Sequence, residues 1–175
     1  LLGLLGGALG ILLAVFVAAA AGAWVWGRWG TTERPRGTRI AAGVIAKDTD
    51  NLFSTITIDK GARQGVREGM PVVAWQGDME GLVGKVVRVG RGSAHILPLY
   101  DPQCLVSARL DKSRHEGLVG GLGKDRDTLV MRYVRKTAAP LIEYGDLVVT
   151  AGLGGLYPKG INIGRVREVN APAYE

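Results

Sequence analysis

A single cysteine, Cys104, stands among 175 residues, so no disulfide within the chain can staple this fold. The histidines number only 2, His95 and His115, and with one distant thiol they offer no zinc-ligand spacing. Aromatic residues make up 6%, so Val, Leu and Ile must fill any core. Charge is missing altogether from residues 1–27, although the chain carries 22 basic and 16 acidic side chains. No second apolar run of about 18 residues follows, which excludes a polytopic membrane protein. Glycine is plentiful, at 27 residues, yet shows no Gly-X-Y period, which excludes collagen. With 47% hydrophobic residues, disorder is excluded as well. What remains is one segment of membrane length and one compact globular part.

Residues 1–27, built as an α-helix, would be about 40 Å long against about 30 Å of hydrocarbon, enough to span with some tilt. Trp24, Trp26 and Trp29 stand at its C-terminal edge beside Arg28, where an interfacial aromatic belt belongs. Ala21-Gly22-Ala23 has the small-x-small form of a cleavage site, but a signal peptide's apolar region runs only about 7–15 residues. The segment therefore reads as a single retained transmembrane helix. Gly3/Gly7 and Gly6/Gly10 are small-xxx-small pairs that would let a second helix approach closely, unless a Gly-rich chain simply carries Gly here too. Residues 28–40 read as a short juxtamembrane linker. Its Arg28, Arg34, Arg36 and Arg39, set against Glu33, suit anionic lipid headgroups and would favour a cytoplasmic side by the positive-inside rule.

Beyond the linker the apolar pattern has period two, punctuated by Gly. It predicts strands at 41–46, 53–59, 71–74, 82–89, 94–99, 105–110, 117–122, 128–134, 147–150 and 161–169. Short strands with frequent turns and no amphipathic helix read as all-β, in small Gly/Val-rich barrels or sandwiches. An internal echo points to two lobes, at 41–100 and 101–170, with strand exchange between them left open. Val66-x-x-Gly69-x-Pro71-Val72-Val73 is matched by Ile142-x-x-Gly145-x-Leu147-Val148-Val149. Gly84-Lys85-Val86 is likewise matched by Gly164-Arg165-Val166. Each copy is an apolar residue, a Gly turn, a Val-Val strand and a closing Gly-x-Val strand, with Gly supplying positive φ or a sharp corner.

Two stretches carry a family likeness. Ile58-Asp59-Lys60-Gly61, Gly65-Val66-x-x-Gly69-Met70-Pro71-Val72-Val73 and Gly81-Leu82-Val83-Gly84-x-Val86 form the first. The second is Gly145-Asp146-x-Val148-x-Thr150-Ala151-Gly152-x-Gly154-Gly155-x-Tyr157-Pro158-x-Gly160-Ile161-x-Ile163-Gly164. In order and spacing they resemble the rod shape-determining protein MreC family, from about Ala41 to Val169. The resemblance implies a single-pass protein of the bacterial cytoplasmic membrane with two small barrel lobes on the outer, periplasmic side, so Glu175 is expected outside the cytoplasm. It implies a non-enzymatic scaffold of the elongasome, organising peptidoglycan synthesis with the class B transpeptidase PBP2, RodA, MreD and MreB. Three departures stand out. The family's coiled coil is not visible in residues 28–40, which contain Pro35 and no heptad; Ala151 replaces the usual Ser; and Tyr157 replaces the usual Phe.

Rival chemistries find little support in the residues. Ser107 and Ser113, with His95, His115, Asp101 and Asp111, lack a Gly-flanked nucleophile turn, so a chymotrypsin-like protease is the weakest alternative. Cys104 sits in an apolar strand pattern and reads as a buried, inert thiol. Metal and cofactor sites are not expected. The net charge of +6 is scattered and often paired with acids, so nucleic acid is not an expected partner. A periplasmic adaptor of a transport system is the other alternative, although no helical hairpin is visible. Residues 152–160 read primarily as two tight turns closing a barrel, with Leu153, Leu156 and Tyr157 tucked underneath; a partner-facing apolar loop is the second reading. Self-association, lacking a coiled coil, would fall to strand edges or to the N-terminal glycines.

Overall fold

The structure, a computed structural model, describes residues 10–14, 23–27, 38–48, 55–76, 79–122 and 128–170. Its regular elements are β-strands and short 3-10 turns, so the fold is all-β. In chain order the strands are β1 (Gly10–Ala14), β2 (Ala23–Gly27), β3 (Thr38–Ala42), β4 (Val44–Asp48), β5 (Thr55–Ile58), β6 (Pro71–Gln76) and β7 (Met79–Val89). There follow β8 (Ala94–Pro98), β9 (Val106–Leu110), β10 (Glu116–Gly121), β11 (Thr128–Arg132), β12 (Leu147–Thr150) and β13 (Asn162–Asn170). Alternation decides most of them. Burial alternates strictly along β5 and β9, where Ile56, Ile58, Val106, Ala108 and Leu110 point inward.

Strand pairing runs in two antiparallel circuits. In the first, β3 pairs β2, then β6, β7, β8, β5 and β4 follow in turn. β4 continues from β3 through Gly43, so the expected strand at 41–46 is really two strands bent at one glycine. Asp59 holds that bend: its carboxylate accepts from the Gly43 N–H at 2.7 Å, and its own N–H donates to the Gly43 carbonyl at 3.0 Å. In the second circuit β1, β11, β10, β9, β12 and β13 follow one another, and β13 returns to β1. One parallel contact, Asn162↔Gly81 between β13 and β7, joins the circuits.

Two apolar clusters fill them. The smaller is built on Ile58, Val72, Val86, Ala94 and Ile96. The larger is built on Val106, Leu110, Val119, Leu129, Met131, Val148 and Val166, and it also takes Val73, Leu82, Leu97 and Leu99 from the earlier part of the chain. Each Val, Leu, Ile or Met among them, once buried, contributes roughly 1.5–3 kcal/mol. Two glycines are required by close packing: a Cβ on Gly84 would overlap the Leu97 carbonyl, and one on Gly121 would overlap the Tyr100 carbonyl.

The sequence echo is a hydrogen-bonded repeat. Gly69 has φ +82° and donates to the Val86 carbonyl at 2.8 Å, while Val86 donates to Met70 at 2.9 Å. Gly145 has φ +88° and donates to Val166 at 2.8 Å, while Val166 donates to Asp146 at 2.9 Å. Val72 faces Gly84 as Val148 faces Gly164, and each strand pair then slips register after that valine.

The N-terminal expectation is met differently. A transmembrane helix over residues 1–27 is not what the described residues contain: 10–14 and 23–27 are strands, and Gly10 is the Cα partner of Asn170. No helix among the described residues is long and apolar enough to cross a membrane. An uncharged aliphatic run can satisfy its backbone against a sheet edge as well as within a helix, so composition alone does not decide between them. Gly3, Gly6, Gly7 and Trp29 lie outside the described residues.

Candidate partner-binding surface

After β12 the chain makes its main departure from the repeat, a loop of residues 151–160. Thr150 anchors it. Fully buried, its hydroxyl donates to the Pro158 carbonyl and accepts from the Ile161 N–H at 2.9 Å. Its backbone N–H and carbonyl take Ile161 and Gly160 at 2.9 and 3.0 Å. Gly152, Gly154, Gly155 and Gly160 all have positive φ, so the chain reverses repeatedly within ten residues of Thr150. Thr150 was legible only as a strand residue. A hydroxyl that bridges both sides of a loop leaves no periodic trace.

The geometry divides the trio that sequence reasoning grouped. Leu153 and Leu156 are exposed at 52% and 55%, whereas Tyr157 is buried at 4%. The expectation that all three are tucked under the turns therefore fails for both leucines, and the alternative of a three-residue outward loop fails for Tyr157. The turn at Leu153–Gly155 explains the division: its consecutive left-handed glycines throw the leucines outward before Pro158 brings the chain back. Tyr157 belongs to the larger core, and its hydroxyl has the Cys104 thiol, a weak hydrogen-bonding group, beside it but no nitrogen or oxygen partner among the described residues. Burial pushes its phenol pKa far up and lifts the Cys104 thiol to about 11, so neither group ionises near neutral pH. Cys104 is an inert core residue.

Other large apolar side chains also face solvent. Tyr133 and Tyr144 are exposed, with Leu141 between them in sequence, and Tyr133 adopts φ +63°, a left-handed conformation unusual for an aromatic residue. On the first circuit Trp75 and Met79 flank the β6–β7 hairpin, and Val44 and Ile45 lie exposed on β4. Taken singly, such exposed side chains are ordinary for a protein surface and mark no patch.

The residues of a hydrolytic reading do not assemble. Ser107 lies on β9, where its carbonyl accepts from Ala151 at 2.9 Å. The Ser113 hydroxyl is shut away without a partner, and Asp111 approaches Arg109 at 3.9 Å. His95 meets Thr57 at 3.2 Å, and His115 lends its backbone carbonyl to Leu110. Asp101 is buried and caps the turn at Gln103 with a bond of 2.8 Å. Among the described residues no serine hydroxyl is bonded to a histidine, and no three metal-ligating side chains gather.

Two joined circuits of short strands, cornered by glycine, define an all-β protein of barrel-like fold. Residues 44–175 match the family described as "Rod shape-determining protein MreC, barrel core", and the chain belongs to that family. The Cell shape-determining protein MreC of Bacillus subtilis is 30% identical over 142 residues, which cover 77% of this chain and 48% of that protein. Its counterpart in Listeria monocytogenes is 34% identical over 131 residues, 73% of this chain and 42% of that one. The chain thus spans about half, or less, of these relatives. The crystal structure of MreC from Pseudomonas aeruginosa superposes with a TM-score of 0.65 at 33% identity, over 73% of this chain and 77% of that one. A structure titled as the complex between Penicillin-Binding Protein (PBP2) and MreC from Helicobacter pylori gives a TM-score of 0.52 at 15% identity, over 89% and 87% of the chains, a likeness of fold alone.

Proposed function

We propose that this chain is a membrane-anchored, non-enzymatic scaffold of bacterial cell-wall elongation, holding rod shape by binding and organising peptidoglycan-synthesis proteins. The observation that carries the reading is the family barrel core over residues 44–175, on a fold in which the candidate serines and histidines do not come together among the described residues. The class B transpeptidase PBP2 is the leading partner, in keeping with the Helicobacter complex, and RodA, MreD and MreB complete the assembly. Leu153 and Leu156 are the candidate contact residues, with Tyr157 supporting the loop from beneath. The working division is an anchor at 1–27, a linker at 28–40 and lobes at 41–100 and 101–170.

The anchor reading rests on the uncharged run and on Trp24, Trp26 and Trp29 beside Arg28. In a bilayer β1 and β2 would leave the sheet, because a helix satisfies all its own backbone groups in hydrocarbon. The globular part then lies on the outer side of the cytoplasmic membrane, and Gly3, Gly6, Gly7 and Gly10 are free to pack a second helix. The test is complementation. A chain with Ser107, Ser113, His95, His115 and Cys104 all changed to Ala should still support rod shape. Loss of residues 1–27 with export retained should abolish it, because tethering concentrates the barrels near membrane-bound partners. Rod shape unchanged in cells lacking the protein would refute the reading.

A further inference from the structure

One rim of the first circuit carries charge that the fold does not ask for. Between β5 and β6 the chain crosses the end of the β7–β8 hairpin. Ala62 donates to the Gly90 carbonyl at 2.9 Å and Arg63 to the Arg91 carbonyl at 3.2 Å, and Gly69 then reaches Val86 on the β6 side of β7. Arg63, Arg67, Arg88 and Arg91 are thereby gathered at one end of this circuit, and all four are exposed. Among the described residues none of them makes an ion pair, nor does Glu68 in their midst. The neighbouring Asp59 is already taken, by Lys60 at 2.8 Å and by the Gly43 N–H.

The repeat shows that this charge is optional. In the Gly145 copy, Glu143 stands where the first copy has Arg67, and Glu168 where it has Arg88. The same turn and the same closing strand thus form with either sign. Around the second copy the signs are mixed, with Lys112 bound to Glu143 at 2.6 Å and Arg109 at 3.9 Å from Asp111. Like charges gathered at one end of a small barrel repel one another, and a counter-charge from outside relieves that repulsion.

The position of the rim identifies the counter-charge. β3 and the bend after it run beside the rim: Gly43 is bonded to Asp59, and a Cβ built on Gly65 would lie 3.9 Å from Ile40 Cδ1. Ten residues, 28–37, separate Thr38 from the uncharged run, and fully extended they reach about 33–36 Å. Arg28, Arg34 and Arg36 among them repeat the sign of the rim. We propose that Arg63, Arg67, Arg88 and Arg91 form a docking rim for anionic phospholipid headgroups, which lays the first circuit against the membrane that holds the chain. The proposal rests on the anchored reading for the nearness of lipid, and adds to it an orientation. Guanidinium forks match phosphate oxygens, and several such contacts at one surface reinforce one another. Leu153 and Leu156, the candidate protein contacts, follow β12 on the other circuit.

The test uses the full chain with Gly92→Cys, at a glycine where a Cβ meets nothing within 4 Å; Cys104 is buried and does not compete for a thiol-reactive dye. The labelled chain enters lipid discs of phosphatidylcholine, with or without an equimolar share of phosphatidylglycerol, both carrying a headgroup quencher. Quenching should be at least about threefold stronger in the anionic discs and should fall to the neutral level at about 1 M salt. Arg63→Glu, Arg67→Glu, Arg88→Glu and Arg91→Glu together should abolish the difference. Should that variant not melt cooperatively, the same four positions changed to Gln take its place. Equal quenching in the two discs overturns the proposal, as does a difference that survives in a folded variant. Quenching that appears only when the periplasmic domain of a class B transpeptidase is added assigns the rim to a protein and overturns it too. A chain that does not enter neutral discs contradicts the anchor alone. The rim is then read from cosedimentation with phosphatidylglycerol vesicles, where the native chain should bind at least about fivefold better than the reversed one. Equal binding there overturns the proposal.

Discussion

The two glycine turns, at Gly69 and at Gly145, make the same pair of hydrogen bonds at the same lengths, yet the chain beyond them diverges. After the first, β6 runs directly into the β6–β7 hairpin, where Gln76 faces Met79. After the second, β12 ends at Thr150, and ten residues intervene before Ile161 returns to the sheet. The shared part is structural: a left-handed glycine, a buried valine pair and a closing Gly-x-Val strand. The unshared part carries Leu153 and Leu156 into solvent. Duplicated framework and unique loop therefore answer to different demands, packing in one case and, as proposed above, partner recognition in the other.

The framework side of this comparison breaks most severely at a glycine packed directly against backbone. Gly84→Ala drives a Cβ into the Leu97 backbone and should cost more than about 3 kcal/mol, read as loss of the cooperative melting transition. The turns themselves come next. A Cβ at Gly69 or Gly145 meets nothing within 4 Å, so Gly69→Ala and Gly145→Ala are penalised by backbone strain alone, about 1–3 kcal/mol each by denaturant titration. Similar losses at both sites would confirm their equivalence, and a loss at only one would break it.

The loop side is sharpened by Thr150→Val, which keeps the shape but removes the hydroxyl between Pro158 and Ile161. A loss of about 1–3 kcal/mol is expected, together with faster amide exchange at Ile161. Tyr157→Phe should be neutral or stabilising by up to about 1 kcal/mol, because the hydroxyl it removes is buried with only the weakly hydrogen-bonding Cys104 thiol beside it. The smallest effect lies at the Gly43 bend. The Lys60 ammonium and the Gly43 N–H hold the exposed Asp59 carboxyl below its ordinary 3.8. Its contribution is therefore present above that ordinary value and lost as pH falls through the lowered one. Asp59→Asn should remove this slight acid sensitivity, as followed by melting temperature in a series descending from about pH 5.

How much was legible in the sequence depended on periodicity. Val and Ile alternation located the strand at 147–150 as observed and the one at 161–169 within one residue, because one face of each is committed to a core. Glycine spacing revealed the repeated turn, since positive φ restricts residue choice. The bend at Gly43 was missed because a corner held by Asp59 is a tertiary contact. Residues 1–27 were read from hydropathy and the tryptophans at their edge, and neither says whether lipid or a sheet edge satisfies the backbone. Leu153 and Tyr157 looked alike on paper; three left-handed glycines between residues 152 and 155 send one out, and Pro158 returns the other.

The account's central claim is that the unique loop recognises a partner while the repeated framework only supports it. The direct measurement is the Kd between the full chain in lipid discs and the periplasmic domain of a class B transpeptidase, for the native chain and for Leu153→Ser with Leu156→Ser. The account predicts binding at least tenfold weaker, about 1.4 kcal/mol, with an unchanged melting temperature. An unchanged Kd would contradict it.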